Sequence, residues 1–145
     1  RNAVETALKS APAVWAHNLE TVRRLQPLVR SRASYTRSLA VLRQAHEMDP
    51  GRPVKSGLML GLGETRVEVL EALDDLRAAG CDLLTLGQYL APTRQHWPVA
   101  RFWTEEEFAM LADEAHRRGF RAVAAGPRVR SSYKAGHLYR LWQAG

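Results

Sequence analysis

Four short apolar runs, separated by longer amphipathic stretches, constrain the fold of this 145-residue chain more than any other feature. The runs occupy residues 13–17, 54–61, 83–87 and 122–125, and glycine or proline lies near their ends. Short apolar runs of this kind are typical of buried parallel strands. Repeated strand–helix units predict an α/β fold, in which helices pack outside a parallel sheet that is either open or closed into a barrel.

The stretches between these runs show helical periodicity. Helices are predicted at 4–9, at 35–48 and at 66–79, the last of which ends at Gly80. Its apolar face is predicted to hold Val67, Leu70, Leu73 and Leu76. Thr104-Glu-Glu-Glu107 predicts a capping box that opens a further helix, which ends at Gly119.

The composition fits one globular domain, with 46% hydrophobic and 25% charged residues. No apolar run approaches the roughly 18 residues of a membrane span, so we expect no membrane partner. The first residues show neither an initiator Met nor the apolar core of a signal peptide, so we expect the chain to begin inside a longer polypeptide. The single cysteine, Cys81, excludes an internal disulfide and favours the reducing cytoplasm. It is interpreted as a small buried hydrophobe.

The net charge of +6 comes mainly from arginine and raises the question of nucleic-acid binding. The basic residues are scattered along the chain, and no pattern of interleaved aromatic residues accompanies them. We therefore expect no nucleic-acid partner. The charge suits an acidic protein partner or the carboxylate of a ligand.

Polar residues follow the first predicted strand in the segment His17-Asn-Leu-Glu-Thr21. At the carboxyl end of a strand, Asn18 and Glu20 could bind the hydroxyl groups of a ribose, or Glu20 could bind an ammonium group. Alternatively, Asn18 caps a following helix, with Thr21 at its third position. His17 is interpreted either as a metal ligand or as a hydrogen-bonded structural residue.

The second predicted strand ends in glycines, in the segment Gly57-Leu-Met-Leu-Gly-Leu-Gly-Glu64. Glycine lets a ligand approach the backbone closely. The spacing matches neither a P-loop nor the dinucleotide-binding fingerprint. The alternative is a simple strand-to-helix turn, with Glu64 in the first turn of the helix.

Two segments nearer the C-terminus also contain polar residues that could belong to a site. Gln88 and Tyr89 begin a loop that extends to Trp103, and they could offer hydrogen bonds above a pocket. Alternatively, this is a structured surface loop in which Trp97 and Phe102 fold back onto the core. On composition alone, the serines of Arg130-Ser-Ser-Tyr133 are interpreted as a helix cap.

Together these segments resemble the lipoyl synthases, a family of radical S-adenosyl-L-methionine enzymes. The similar elements are His-Asn-x-Glu-Thr at 17–21, the glycine segment at 57–64, Gly-Gln-Tyr-Leu-x-Pro-Thr at 87–93 and Arg-Ser-Ser-Tyr at 130–133. The resemblance implies that residues 1–125 form the C-terminal half of a radical SAM barrel, a partial (β/α)6 TIM-like barrel. It also implies that residues 126–145 form a C-terminal extension with the Arg-Ser-Ser-Tyr motif.

The resemblance also implies roles for particular residues. Those implied to bind S-adenosyl-L-methionine or to shape its cavity are Asn18, Glu20, Arg37, Met59 and Gln88. Ser132, with Ser131 as the competing choice, is implied to ligate an auxiliary 4Fe-4S cluster. No catalytic residue is assigned within this chain.

The implied activity is the insertion of two sulfur atoms at C6 and C8 of a protein-bound octanoyl group. The implied partners are an octanoylated lipoyl carrier domain or H protein, and an electron donor such as ferredoxin or flavodoxin. The family holds two 4Fe-4S clusters with the motifs Cys-x4-Cys-x5-Cys and Cys-x3-Cys-x2-Cys, and this chain contains neither.

The missing motifs lead to three expectations. A missing N-terminal half should supply the clusters, the chain alone should be inactive, and its first strand should form an exposed edge that favours aggregation, dimerisation or a partner chain. Two rival hypotheses remain: a cluster-free α/β binding module that recognises a carrier protein or nucleotide, and a barrel fragment without any ligand.

Overall fold

The computed structural model describes residues 14–30, 34–130 and 135–144. The strands are β1 (Trp15–Ala16), β2 (Val54–Leu60), β3 (Leu83–Gln88) and β4 (Ala122–Gly126). The helices are α1 (Gln26–Val29), α2 (Tyr35–Met48), α3 (Arg66–Ala78), α4 (Glu105–Arg117) and α5 (Ala135–Ala144). The helix predicted at 4–9 lies outside the described residues.

The strands form one parallel sheet in the order β1-β2-β3-β4. The predicted parallel α/β architecture is therefore confirmed. Because the spatial order follows the chain order, right-handed connections place the crossover helices on one face of the sheet. In the described part of the chain, β1 pairs with β2 alone and forms one edge of the sheet, as expected.

The helix-covered face of the sheet carries the larger hydrophobic core. Leucines of β2 and β3 meet apolar residues of α3 and α4 there, and all of them are almost fully buried. The main contributors are Leu58, Leu60, Leu84, Leu86, Leu73, Leu76, Phe108 and Leu111. Because side chains alternate along a strand, the residues between these leucines face the opposite side.

The predicted apolar face of α3 is wrong at one position. Val67 is 72% exposed, whereas Val69 and Ala72 are fully buried beside Leu73 and Leu76. Side chains two positions apart in a helix point in directions that differ by about 200°. Val67 therefore points away from the buried face that includes Val69.

The opposite face of the sheet is covered near the amino ends of its strands. Leu138 and Trp142 of α5 pack against Leu83 of β3 and Ala122 of β4. The carboxyl ends of the same strands lie beyond this contact. Ser131 and Ser132 precede α5 and lie outside the described residues.

Two capping boxes fix the starts of α3 and α4, as predicted for the latter. In each box a threonine hydroxyl accepts a hydrogen bond from the backbone N–H of a glutamate, whose carboxylate accepts one from the threonine N–H. The pairs are Thr65 with Glu68 and Thr104 with Glu107. The predicted stops are also confirmed, since Gly80 and Gly119 follow these helices with φ angles of 91° and 100°.

Each capping glutamate also pairs with an arginine that lies outside its helix. Arg24 donates to Glu68 at 2.8 and 3.0 Å. Arg101 donates to Glu107 at 3.0 and 2.9 Å. We call these two bidentate pairs the arginine clamps. The Arg24 guanidinium also donates to the carbonyl of Gly63 at 2.9 Å, so this clamp fixes the turn after β2.

No helix in the described ranges is both long enough and apolar enough to cross a lipid bilayer.

The clamps predict a loss of stability in acid. The hydrogen bonds from Arg101 are the main cause that lowers the pKa of Glu107 from 4.5 to about 2. A carboxyl group whose pKa is lower in the folded state stabilises the fold above its unfolded pKa and loses that contribution as the pH falls. The free energy of unfolding should therefore decline between pH 4.5 and about 2. The decline should be smaller in Glu107→Gln, as measured by urea unfolding at several pH values.

Glu106→Gln is the matched control, because Glu106 is an exposed carboxylate in the same helical turn. It should follow the parent protein. An identical acid profile for Glu107→Gln and Glu106→Gln would contradict the assigned role of the clamp.

Candidate functional site

A cavity of about 260 Å³ lies at the carboxyl ends of the strands. Asn18, Glu20, Met59 and Gln88, four of the five residues predicted to form a cofactor site, contribute to its lining. Carboxyl ends of parallel strands are the usual place for ligands in α/β folds. The structure therefore brings these four residues together as one candidate site.

Glycines on the cavity floor let neighbouring groups pack against the backbone. A side chain at Gly57 would collide with the hydroxyl of Thr85, and one at Gly87 would collide with the carbonyl oxygen of Val129. Asn18 Oδ1 lies 3.2 Å from the point where a Cβ of Gly57 would stand. The absence of side chains at these two glycines therefore lets Thr85, Asn18 and Val129 pack directly over the backbone of β2 and β3.

Glu20 adopts an uncommon backbone conformation with a φ angle of 77°, the only positive φ of a non-glycine residue among those described. The chain leaves the sheet after β1 and returns at Glu20, whose N–H donates to Gly57 at 2.9 Å. Its carbonyl accepts from the N–H of Met59 at 2.8 Å. Such conformations are costly and are found at functional sites. The two ladder hydrogen bonds fix Glu20 at the cavity edge, where Arg30 lies 3.7 Å from its carboxylate.

The alternative role of Asn18 as a helix cap is wrong. No helix begins at Asn18, because the chain forms turns until α1 starts at Gln26. The amide of Asn18 makes no hydrogen bond with the described residues and lines the cavity instead.

His17 is held as a structural residue. Its Nε2 lies 3.1 Å from the hydroxyl of Ser38 on α2. Burial, followed by the nearby charge of Arg30, lowers the pKa of His17. In the ranges that the structure describes, no three His, Cys, Asp or Glu side chains are grouped in a way that could hold a metal ion. This arrangement favours the hydrogen-bonded interpretation.

Gln88 anchors the loop that follows β3. Its Nε2 donates to the carbonyls of Tyr89 and Arg101, both at 3.0 Å, and its Oε1 accepts from the N–H of Trp103 at 3.0 Å. The side-chain amide is therefore committed to the loop. Gln88 is buried at the cavity wall and supports its shape.

The rest of this loop is structured, as the alternative interpretation predicted. The hydroxyl of Tyr89 donates to the carbonyl of Trp97 at 2.6 Å, and the indole of Trp97 donates to the carbonyl of Leu62 at 2.8 Å. Trp97 packs against the core, but Phe102 is 66% exposed, contrary to expectation. The loop is thus fastened to the turn after β2.

Glu64 is a site-forming residue whose role the sequence did not reveal. Its carboxylate is buried and accepts hydrogen bonds from the N–H groups of Gly61 and Leu62 and from the indole of Trp103, at 2.9–3.1 Å. Glu64 precedes the cap Thr65, so its predicted place in the first turn of the helix is wrong. The sequence signal for this role was the position of Glu64 directly after a glycine-rich turn, whose backbone N–H groups need acceptors.

One predicted cofactor residue is not at the cavity. Arg37 lies on α2 and lines a separate surface groove with Arg43 and Glu47. Ser132 lies outside the described residues. The roles assigned to both stay predictions. Arg130, which precedes the serines, lines the cavity and donates to the carbonyl of Val129 at 2.8 Å.

The two cofactors that the resemblance implies, S-adenosyl-L-methionine and the 4Fe-4S clusters, fit the described residues differently. An amide and a carboxylate, those of Asn18 and Glu20, line one cavity and suit the adenosyl part of S-adenosyl-L-methionine. The described residues offer no ligand set for a 4Fe-4S cluster. Cys81 is fully buried, its thiol lies 3.4 Å from the carbonyls of Val54 and Leu83, and burial raises its pKa. A thiol in such surroundings is a poor ligand.

No family model matches this chain. It is 54% identical to lipoyl synthase 2 of Thermosynechococcus vestitus over 135 residues, which are 93% of this chain and 47% of that protein. It is 58% identical to the lipoyl synthase of Halorhodospira halophila over 134 residues, which are 92% of this chain and 40% of that protein.

A third relative matches almost the whole chain. The lipoyl synthase of Pyrobaculum arsenaticum is 56% identical over 144 residues, which are 97% of this chain and 48% of that protein. The chain thus spans less than half the length of these curated relatives, whereas they match more than nine-tenths of the chain. Over the matched residues, this chain belongs to the lipoyl synthase family.

Proposed function

We propose that this chain is the C-terminal part of a lipoyl synthase and forms one wall of its S-adenosyl-L-methionine site. The whole enzyme inserts two sulfur atoms at C6 and C8 of a protein-bound octanoyl group. The observation that carries this proposal is the convergence of Asn18, Glu20, Met59 and Gln88 on one cavity. The sequential parallel strand order suits a segment of a partial (β/α)6 barrel.

The cavity residues have distinct proposed roles. The amide of Asn18 binds ribose hydroxyls, and the carboxylate of Glu20 binds a ribose hydroxyl or the ammonium group of the methionine part. Met59 packs against the adenine, and Gln88 holds the loop that borders the site. When bound and cleaved, S-adenosyl-L-methionine supplies the carbon-centred radical that the reaction needs.

The iron–sulfur chemistry is assigned to other residues. Ser132 is the proposed oxygen ligand of the auxiliary cluster, with Ser131 as the alternative. Cysteine thiolates are the usual ligands of such clusters. The proposal therefore assigns the remaining ligands of both 4Fe-4S clusters to another part of the polypeptide, and it expects the chain alone to be inactive.

The proposed partners are an octanoylated lipoyl carrier domain or H protein and a one-electron donor such as ferredoxin or flavodoxin. The net charge of +6 favours acidic partners. Leu90 is 52% exposed and also lines the cavity, so it offers an apolar entrance for an acyl chain. The proposed compartment is the cytoplasm, where thiols stay reduced.

A side chain on the cavity floor should weaken ligand binding. Gly57→Ala adds a methyl group that collides with the Thr85 hydroxyl, so it displaces the Thr85 and Asn18 side chains that line the cavity. We expect S-adenosyl-L-methionine to bind at least about 10-fold more weakly, which corresponds to about 1.4 kcal/mol. The measurement is equilibrium binding to the anaerobically reconstituted product of the complete reading frame.

Gly51→Ala is the matched control. Gly51 is exposed, and a Cβ there would come no closer than 3.8 Å to any neighbour, at Asp49 Oδ1. It should bind like the parent. Unchanged binding by Gly57→Ala would contradict the proposed placement, and tight nucleoside binding by the chain alone would favour the cluster-free binding module.

A substitution at Glu20 should separate stability from function. Glu20→Gly removes the carboxylate but permits the positive φ, so it relieves a strain of about 1 kcal/mol or more. The free energy of unfolding should not fall. Affinity for S-adenosyl-L-methionine should fall by about 10- to 100-fold, because hydrogen bonds to charged groups contribute about 1.5–3 kcal/mol. Parent affinity in this variant would exclude Glu20 from the site.

A further inference from the structure

Thr85 is a buried polar residue whose hydroxyl has no hydrogen-bond partner among the described residues. It lies in the middle of β3 and is 3% exposed. Its neighbours Leu84 and Leu86 point into the core beneath the helices, whereas Thr85 lines the cavity on the other face. No described residue forms a hydrogen bond with its hydroxyl. Thr85 lines the cavity, and its hydroxyl is not among the polar atoms enclosed without a partner, so the hydroxyl opens onto the cavity and is available to a ligand.

The surroundings of Thr85 give the hydroxyl a defined direction. Its backbone is in register with Gly57 of β2 and Ala124 of β4. The hydroxyl leans over Gly57 so closely that a side chain there would collide with it. Asn18 Oδ1 approaches the same point from the β1 side, at 3.2 Å. A hydroxyl and an amide therefore lie side by side over the backbone of Gly57.

This pair can recognise a particular chemical group. A threonine hydroxyl can donate and accept, and an asparagine amide can do both with separate atoms. Two such groups side by side in one cavity match the adjacent hydroxyls of a ribose, each of which also donates and accepts. An aliphatic chain would leave both polar groups unsatisfied, at a cost in free energy.

We infer that Thr85 is a ligand-binding residue whose hydroxyl, together with the amide of Asn18 across Gly57, binds a ribose hydroxyl of a nucleoside ligand. The inference rests on the proposed function, in which that nucleoside is S-adenosyl-L-methionine. The ligand then contacts Thr85 on β3 in addition to Asn18 and Glu20, which follow β1. The ribose then lies across β2, between the two neighbouring strands.

The test uses the product of the complete reading frame with three probes: S-adenosyl-L-methionine and its 2′-deoxy and 3′-deoxy analogues. Thr85→Val keeps the shape of the side chain and removes the hydroxyl, and Thr85→Ser keeps the hydroxyl. Thr85→Val should bind S-adenosyl-L-methionine about 2- to 12-fold more weakly, the effect of one hydrogen bond, whereas Thr85→Ser should stay within about 2-fold of the parent.

The analogues separate binding from a structural effect. With the analogue that lacks the contacted hydroxyl, the parent and Thr85→Val should bind equally. Thermal melting of the unliganded proteins checks the fold, and Thr85→Ala replaces Thr85→Val if the valine variant melts early. An equal loss of affinity for all three probes, or parent affinity in Thr85→Val, would overturn the role of Thr85 and leave the proposed function intact. Failure of the parent to bind S-adenosyl-L-methionine would overturn both.

Discussion

The buried carboxylate of Glu64 joins the two loops on which the candidate site depends. It accepts hydrogen bonds from Gly61 and Leu62 in the turn after β2 and from Trp103 in the loop after β3. An unsatisfied buried donor costs about 1–3 kcal/mol, so removing this carboxylate would weaken a connection that Gln88 and Trp97 also support. The cavity exists because the two loops are held at fixed positions beside the glycine floor.

The arginine clamps extend this order to the ends of the loops. Arg24 connects the segment after Glu20 to α3, and Arg101 connects the segment before α4 to the capping box of that helix. Arg101 also lies over the ring of Trp103, 3.9 Å from its centre. Backbone strain at Glu20 is tolerated because hydrogen bonds on both sides of the residue hold it in the sheet.

The sequence predicted what depends on local chemistry. The parallel strands, the capping box at Thr104 and the glycine stop at Gly80 follow from short patterns, and the structure confirms them. The sequence misplaced features that depend on tertiary contacts. Val67 and Val69 compete for one helix face, and only packing against the sheet decides between them. The role of Glu64 depends on Trp103, which is distant in sequence and reaches it through the folded loop.

Hydrogen–deuterium exchange with and without S-adenosyl-L-methionine shows whether the ligand binds at the carboxyl ends of the strands. The measurement uses the reconstituted product of the complete reading frame, and peptides report on each strand end. We expect the ligand to slow exchange at residues 18–20, 57–61 and 85–90, which border the cavity. Ligand binding that leaves these amides unchanged, or that protects the groove beside Arg37 on α2 instead, would contradict this expectation.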